Sequence, residues 1–310
     1  MNLWRKRVAL LPGLVTTLTL GVQTAARAHE PLWGETPQTF AFGVIHPEVR
    51  FALTDSSGLF RGGLRVNNGD GLRLSRQETS LSLQYALDTS RNIRLEIPAA
   101  VVTATQRVDG ALRETRTSGL GDAVLSIKSR YRADFGPDFK KQFSYLVGLQ
   151  LPTGENGGRH PDGTRLMPSE QPGSGNFGLV LGWAFDYERL QDTVWVSAQY
   201  QRDLSGRDRK GDELALDAAY GYWVKRANQP QDLGIILAAG PHVQIAGRDR
   251  VSQPTGDDSG GETAGIQATL IATKGQYQAR IGFLVPVYRH FNGTQLGVGT
   301  EFRAGFEALL

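Results

Sequence analysis

Apolar and polar residues alternate with a period of two along most of the chain, the pattern of strands with one greasy and one wet face. Leu81, Leu83, Tyr85 and Leu87 interleave with Ser80, Ser82, Gln84 and Ala86, and Ile93, Leu95, Ile97, Ala99 and Val101 interleave with Arg94 and Glu96. Ala123, Leu125, Ile127 and Tyr131 oppose Ser126, Lys128, Arg130 and Arg132. Phe143 to Leu151, Phe177 to Tyr187, Val194 to Tyr200 and Leu214 to Tyr222 repeat the pattern. So do Leu233 to Ile245, Ala264 to Ala272, Tyr277 to Val287 and Leu296 to Leu310. With an early strand at Phe40 to Leu53, whose parity shifts around His46-Pro47 as at a bulge or an end, twelve strands are expected.

The connections alternate in length. Short turns at Asp88-Arg91, Asp134-Lys140, Glu188-Asp192, Arg226-Gln231 and Lys274-Gln276 separate longer stretches at Thr54-Ser75, Arg107-Gly119, Thr153-Gly173, Asp203-Gly211, Val251-Gly261 and Arg289-Thr294. This is the layout of an all-β, antiparallel, up-and-down transmembrane barrel of about 12 strands, with periplasmic turns and extracellular loops. The apolar parity carries no charge until the strand ends. Arg94, Glu96, Lys128, Arg130, Arg132, Asp186, Glu213, Asp217, Lys225, Arg280, Glu301 and Arg303 collect on the other parity and are the expected pore-lining residues. Such a face suits a wet lumen and would be very costly in a dry core. Aromatics near the strand ends suggest interfacial girdles: Tyr131, Phe185, Tyr187, Tyr220, Tyr222 and Tyr277 at the turns, Phe177, Tyr200, Tyr288 and Phe291 at the loops. The last strand keeps an apolar parity to Leu310, like the terminal signal read by the outer-membrane barrel assembly machinery, with Leu in place of the usual aromatic.

Charge at first points elsewhere. The 310 residues carry 34 Lys and Arg against 31 Asp and Glu, a net +3 that suggests nucleic acid. Four of those bases, Arg5, Lys6, Arg7 and Arg27, precede Ala28 with no acid among them, so 30 bases face 31 acids beyond it. Residues 1–28 have the form of a signal peptide: a basic start, an apolar Val8 to Val22 broken by Pro12 and Gly13, and Ala26-Arg27-Ala28 as the cleavage site, at Ala28. That leaves 29–310 as the barrel, with 29–38 as a periplasmic N-terminal segment, no nucleic acid as partner, and no cysteine to staple it. A location in the bacterial outer membrane follows.

Ser118-Gly119-Leu120-Gly121-Asp122-Ala123 leads into a strand ending Ser129-Arg130-Tyr131-Arg132; then come Leu149-Gln150-Leu151-Pro152-Thr153-Gly154 and Gly173-Ser174-Gly175. From about Arg76 to the C-terminus the chain resembles the outer-membrane transporters grouped under the MetA pathway of phenol degradation. The resemblance implies an outer-membrane β-barrel with a transport role.

Other constellations carry little. Gly173-Ser174-Gly175-Asn176-Phe177-Gly178 fits the dinucleotide fingerprint, but a loop precedes it and a strand follows, where that fingerprint needs a strand and a helix. His29, His46, His160, His242 and His290 are scattered, no metal or cofactor is expected, and Gly256 to Glu262 is a solvated loop before it is a calcium site. A lipid hydrolase would need a serine beside an oriented histidine, and no such pair can be nominated. Lys128, Arg130 and Arg132, with Arg94 on the neighbouring strand, would form a basic stripe inside the barrel and, with Asp186, Glu213 and Asp217 farther round the wall, set a lateral field or simply form wall-to-wall ion pairs. The expected function is a passive channel for a small-molecule solute, including aromatic or weakly polar compounds, in a lipid bilayer. The alternative is a non-conducting structural or adhesion barrel, closed by side chains or by Pro31-Thr39; a lipid hydrolase ranks below both.

Overall fold

The structure, a computed structural model, describes residues 30–227, 229, 231–251 and 258–310. The leader expected over 1–28, with its cleavage at Ala28, lies outside the described residues, as do His29, Gly256 and Asp257. Among the described residues, fifteen strand segments follow one another: β1 (Ile45–Ser56), β2 (Gly58–Gly62), β3 (Leu64–Val66), β4 (Arg73–Ala86), β5 (Arg91–Val108), β6 (Ala111–Leu120), β7 (Val124–Phe135), β8 (Phe139–Gln150), β9 (Gly178–Arg189), β10 (Asp192–Asp203), β11 (Glu213–Lys225), β12 (Gly234–Ala246), β13 (Gly261–Lys274), β14 (Tyr277–Gly297) and β15 (Glu301–Ala308). They make twelve staves, each antiparallel to its neighbours, and β1 pairs with β15 to close the barrel.

Three staves are interrupted. β1 continues into β2 across Ser57, and β6 into β7 across Gly121-Asp122-Ala123, β6 and β7 both pairing with β5. The register of β1 on β15 ends at Thr54↔Glu301 and resumes as Gly58↔Gly297, so residues 294–297 at the end of β14 run down the wall in line with β15. The chain therefore reverses at Asn292-Gly293, where Gly293 has φ +70°. Arg107-Gly119, expected as a loop, is mostly a hairpin of β5 and β6 turning at Asp109 (φ 53°) and Gly110 (φ 80°), a pair of left-handed residues suited to the strand twist.

Burial is inverted relative to a soluble protein. Leu81 is 56 % exposed while Gln84 and Asn92 have almost no exposed surface. Leu83, Ile127, Val147, Leu237, Ile266 and Phe283 likewise face outward, an apolar belt that only hydrocarbon can cover. β1 obeys the same rule. Ile45, Pro47, Val49, Phe51 and Leu53 share the outer parity and pair with β4 without a shift, so no bulge lies at His46-Pro47. The lumen is not wet throughout: Trp195, Trp223, Ile236 and Ile271 form a dry cluster inside the β10–β13 wall.

Candidate functional site

The lumen is threaded by the chain's own residues 30–40. Leu32 and Trp33 are almost completely buried, as are Thr36 and Gln38, so the segment expected on the periplasmic side lies inside the barrel. No periodic pattern holds it there. The wall instead satisfies its main chain, as buried carbonyls require: Arg280 donates to the carbonyls of Glu30 and Pro31 (3.2 Å each), Arg303 to that of Leu32 (3.2 Å), and Lys128 to that of Thr36 (3.1 Å). Two carboxylates complete the docking. Glu35 accepts from Arg94 at 2.6 Å, and both Glu30 and Glu35 lie 3.7 Å from the Lys128 ammonium. The Trp33 ring lies 5.0 Å beneath the Arg303 guanidinium. Gly34 has φ +82°, and a Cβ there would come within 2.4 Å of the Ser197 Oγ, so only glycine fits. Below, Phe40 packs on Ala86 with Val44 and Leu309 around it and fills the turn end of the barrel.

Above the segment lies a cavity of about 270 Å³ with Trp33, Gly34 and Glu35 in its floor. Its wall is charged but paired: Arg50 with Glu96 (2.7 Å), Arg303 with Glu301, and His242 with Asp217 (2.7 Å), while Glu213 accepts from Gln244 (2.9 Å).

Of the expected lining residues, Arg94, Glu96, Glu213, Asp217, Glu301 and Arg303 line this cavity. Lys128, Asp186 and Arg280 are buried in the lumen, Lys128 and Arg280 bound to the segment and Asp186 close to Gln38. Arg130 sits at the turn end, donating to the Thr89 carbonyl at 2.6 Å. Arg132 and Lys225 are corrections. One extra residue, Tyr131, shifts the β7–β8 register, so Arg132 pairs beside Phe143 and lies over its ring on the outer face. Val224 does the same on β11, and Lys225 comes opposite Ile235, exposed at the rim. Arg132 therefore leaves the basic stripe, while Arg94 and Lys128 stay in the lumen, Arg94 paired with Glu35 and Lys128 near both Glu30 and Glu35. A third extra residue, Val287 in β14, turns Phe291 inward against Phe60, out of the expected girdle. Glu30, Glu35, Glu48, Arg50 and Glu307 belong to the site without having been expected there; for Glu48, Arg50 and Glu307 strand parity alone places them inside.

Glu30, Glu48 and Glu307 bring carboxylate oxygens within 4.8 Å of one another. Arg280 donates to both Glu48 and Glu307, so a guanidinium occupies the place a cation would take. In the Gly256–Glu262 stretch, Asp258 is used as a turn cap, accepting the Thr294 N–H at 2.9 Å.

The loop over residues 151–177 folds inward, its Leu166 packed against Val102 and Ala104 on the lumenal side of β5. Asp122, in the break between β6 and β7, holds it. The carboxylate accepts the backbone N–H groups of Gly154 (2.9 Å), Ser174 (2.6 Å) and Gly175 (3.0 Å), the Ser174 hydroxyl (2.8 Å) and the Gln150 amide (3.1 Å). A Cβ on Gly154 would meet the Gly173 Cα at 2.6 Å, so the two glycines permit the contact. The three motifs that carry the family resemblance thus meet at one carboxylate.

Among solved structures, the COG4313 outer membrane channel from Pseudomonas putida F1 is similar, with a TM-score of 0.66 at 14 % identity over 92 % of this chain and 100 % of that one. The translocator domain of the autotransporter NalP from Neisseria meningitidis (TM-score 0.42, 11 % identity, 86 % and 88 % of the chains) and a Pseudomonas aeruginosa FadL homologue (0.39, 10 %, 88 % and 92 %) are more distant. No curated protein matches the sequence. A family model matches residues 7–298, and the chain belongs to that family, described as "Putative MetA-pathway of phenol degradation".

Proposed function

We propose that this barrel is a bacterial outer-membrane channel for small solutes, with residues 30–40 as the movable floor of its solute chamber. The observation that carries it is the cavity of about 270 Å³ above Trp33, charge-lined and enclosed by a transmembrane barrel. A cavity of that size, at the small end of ligand sites, holds a single-ring or similarly small compound. The paired charges of its wall offer hydrogen bonds, which supports a small solute with at least one polar group. Segment 30–40 is held by hydrogen bonds and ion pairs rather than by strand pairing, so it can leave without opening the wall. The alternating parity up to Leu310, whose N–H donates to Ile45, supports recognition by the barrel assembly machinery.

Acyl hydrolysis finds no support. Ser197, Asp217 and His242 sit side by side on neighbouring strands, but the carboxylate stands between the other two, and His242 is on its far side. A histidine must lie next to the serine to take its proton. Planar-bilayer recording tests the channel. Discrete conductance that rises when residues 30–40 are removed is expected; no conductance from either protein means a non-conducting barrel.

A further inference from the structure

We propose that the lipid-facing wall of β7, β8 and β9, where it meets the turns, binds the phosphate of an anionic glycerophospholipid in the periplasmic leaflet through Lys141 and Arg132. This inference needs only the barrel's place in the outer membrane and is independent of whether the barrel conducts. Lys141 stands on the outer parity of β8, flanked along the strand by Phe139 and Phe143, with Tyr187 opposite it on β9. Its ammonium lies 5.2 Å from the Phe139 ring centre and 5.1 Å from that of Tyr187. Ring faces hold a cation without neutralising it. Asp134, opposite Lys141 on β7, turns to Arg132 at 2.9 Å, and Glu188 goes to the inward Lys140 at 3.0 Å, so Lys141 has no carboxylate partner among the described residues.

Arg132 reaches this face only because Tyr131 is an extra residue in β7, and re-aiming a side chain is what such a bulge does. It lands beside Phe143, diagonal to Lys141, and backbones at such positions lie roughly 7–8 Å apart, a span that two long side chains close around one phosphate. Arg132 meets Asp134 with Nε and one terminal nitrogen, which leaves the other terminal nitrogen to donate. Arg189, which also lies over Tyr187, is engaged twice by Asp192 and takes no part. Two bases against one carboxylate leave the patch a single positive charge in excess. Its depth fits a headgroup, because the cations stand at the level of the aromatic girdle on the periplasmic side, where the leaflet is glycerophospholipid. Exposed Tyr145, Val147 and Leu181 continue the same face toward the middle of the bilayer, a path for acyl chains. The aromatic frame is braced: Tyr131 stacks on Tyr145 at 6.1 Å, and the Trp183 indole N–H donates to the Tyr131 hydroxyl at 3.2 Å. Across the barrel, Tyr277 and Phe306 stack at 5.9 Å with no cation over either ring among the described residues, so the cations are not a general property of the girdle.

Trp183 stands in this patch and faces lipid, whereas Trp33, Trp195 and Trp223 are buried inside the barrel, so its fluorescence reports the lipid bound here. The purified protein would be reconstituted in phosphatidylcholine containing a fixed share of either brominated phosphatidylglycerol or brominated phosphatidylcholine, with a Trp183→Phe variant supplying the background to subtract. We expect brominated phosphatidylglycerol to quench Trp183 as though enriched about fivefold over its bulk share, the effect of one uncompensated basic residue at a membrane surface. Replacing Lys141 and Arg132 together by Gln should bring quenching down to that of brominated phosphatidylcholine, and Lys141→Arg, which keeps the charge, should retain the enrichment. Heat-modifiable migration on gels shows that each variant is folded. Equal quenching of the parent protein by the two brominated lipids overturns the site. Enrichment that survives the double replacement overturns it as well, since the lipid is then held by other residues.

Discussion

The Asp122 carboxylate binds Ser174 twice, accepting its backbone N–H at 2.6 Å and its hydroxyl at 2.8 Å across 52 positions of sequence. Together with the N–H groups of Gly154 and Gly175, this makes Asp122 the fixed point of the inward loop. Hydrogen bonds to a charged group contribute roughly 1.5–3 kcal/mol each, and removing the acceptor strands the donors. Asp122→Ala should therefore release the loop locally by several times ~1 kcal/mol while the staves stay closed. Limited proteolysis of the folded barrel checks this: the variant should be nicked within residues 154–172 far faster than the parent, with heat-modifiable migration on gels unchanged.

Removal of residues 30–40 should change selectivity as well as conductance. Glu30 and Glu35 leave with the segment, and Arg94 and Lys128 lose their carboxylate partners. The lumen becomes more positive by two charges, so the reversal potential in a salt gradient should move toward anion preference. In the intact chain, replacing Lys128, Arg130 and Arg132 together by Gln should alter selectivity far less, because Arg132 is outside the lumen and Arg130 is at its rim.

Why the staves are legible in the sequence and the segment is not has one physical root. Bilayer and lumen are different solvents, so every residue of a stave such as β4 records which one it meets, and Leu81-Ser82-Leu83-Gln84 can be read directly. Glu30 to Phe40 is held largely through its carbonyls, which every residue type possesses, and its fit shows only as Gly34 and two isolated glutamates. The bulges explain the remaining differences. A single extra residue at Tyr131, Val224 or Val287 inverts the parity beyond it and takes Arg132, Lys225 and Phe291 to the opposite face. Nothing in the local composition distinguishes that residue from its neighbours. The motif residues around Asp122 are visible as a family signature, but their convergence on one carboxylate depends on loop closure over some 50 residues.

Gly34 should be the least replaceable residue of the segment. Its φ of +82° disfavours any side chain, and a Cβ would press on the Ser197 Oγ and the Asp217 Cβ, at 2.4 and 2.9 Å. Overpacking of this kind costs about 1–3 kcal/mol. Gly34→Ala should thus weaken docking while the staves stay paired. In single-channel traces it should raise the open fraction, whereas Glu35→Gln, which keeps the shape and loses the Arg94 ion pair, should do so less.

The inward loop should also respond to pH through His160. A hydrogen bond from its ring to Glu170, with Nε2 at 3.4 Å from the carboxylate, raises its pKa above the ordinary histidine value, burial opposing and the charge of Glu170 assisting. A pKa raised by folding gives stability that is fully present below the unfolded value near 6.5 and is lost as pH rises through the folded value. The pair is part-exposed, so the effect on the loop should stay within roughly 1 kcal/mol. Nicking within 154–172 should accordingly be slowest at mildly acidic pH and increase modestly above neutrality. Glu170→Gln should flatten that profile and bring the His160 titration, followed by NMR in detergent, back toward the ordinary value; an unchanged titration in the variant would show that Glu170 does not govern it.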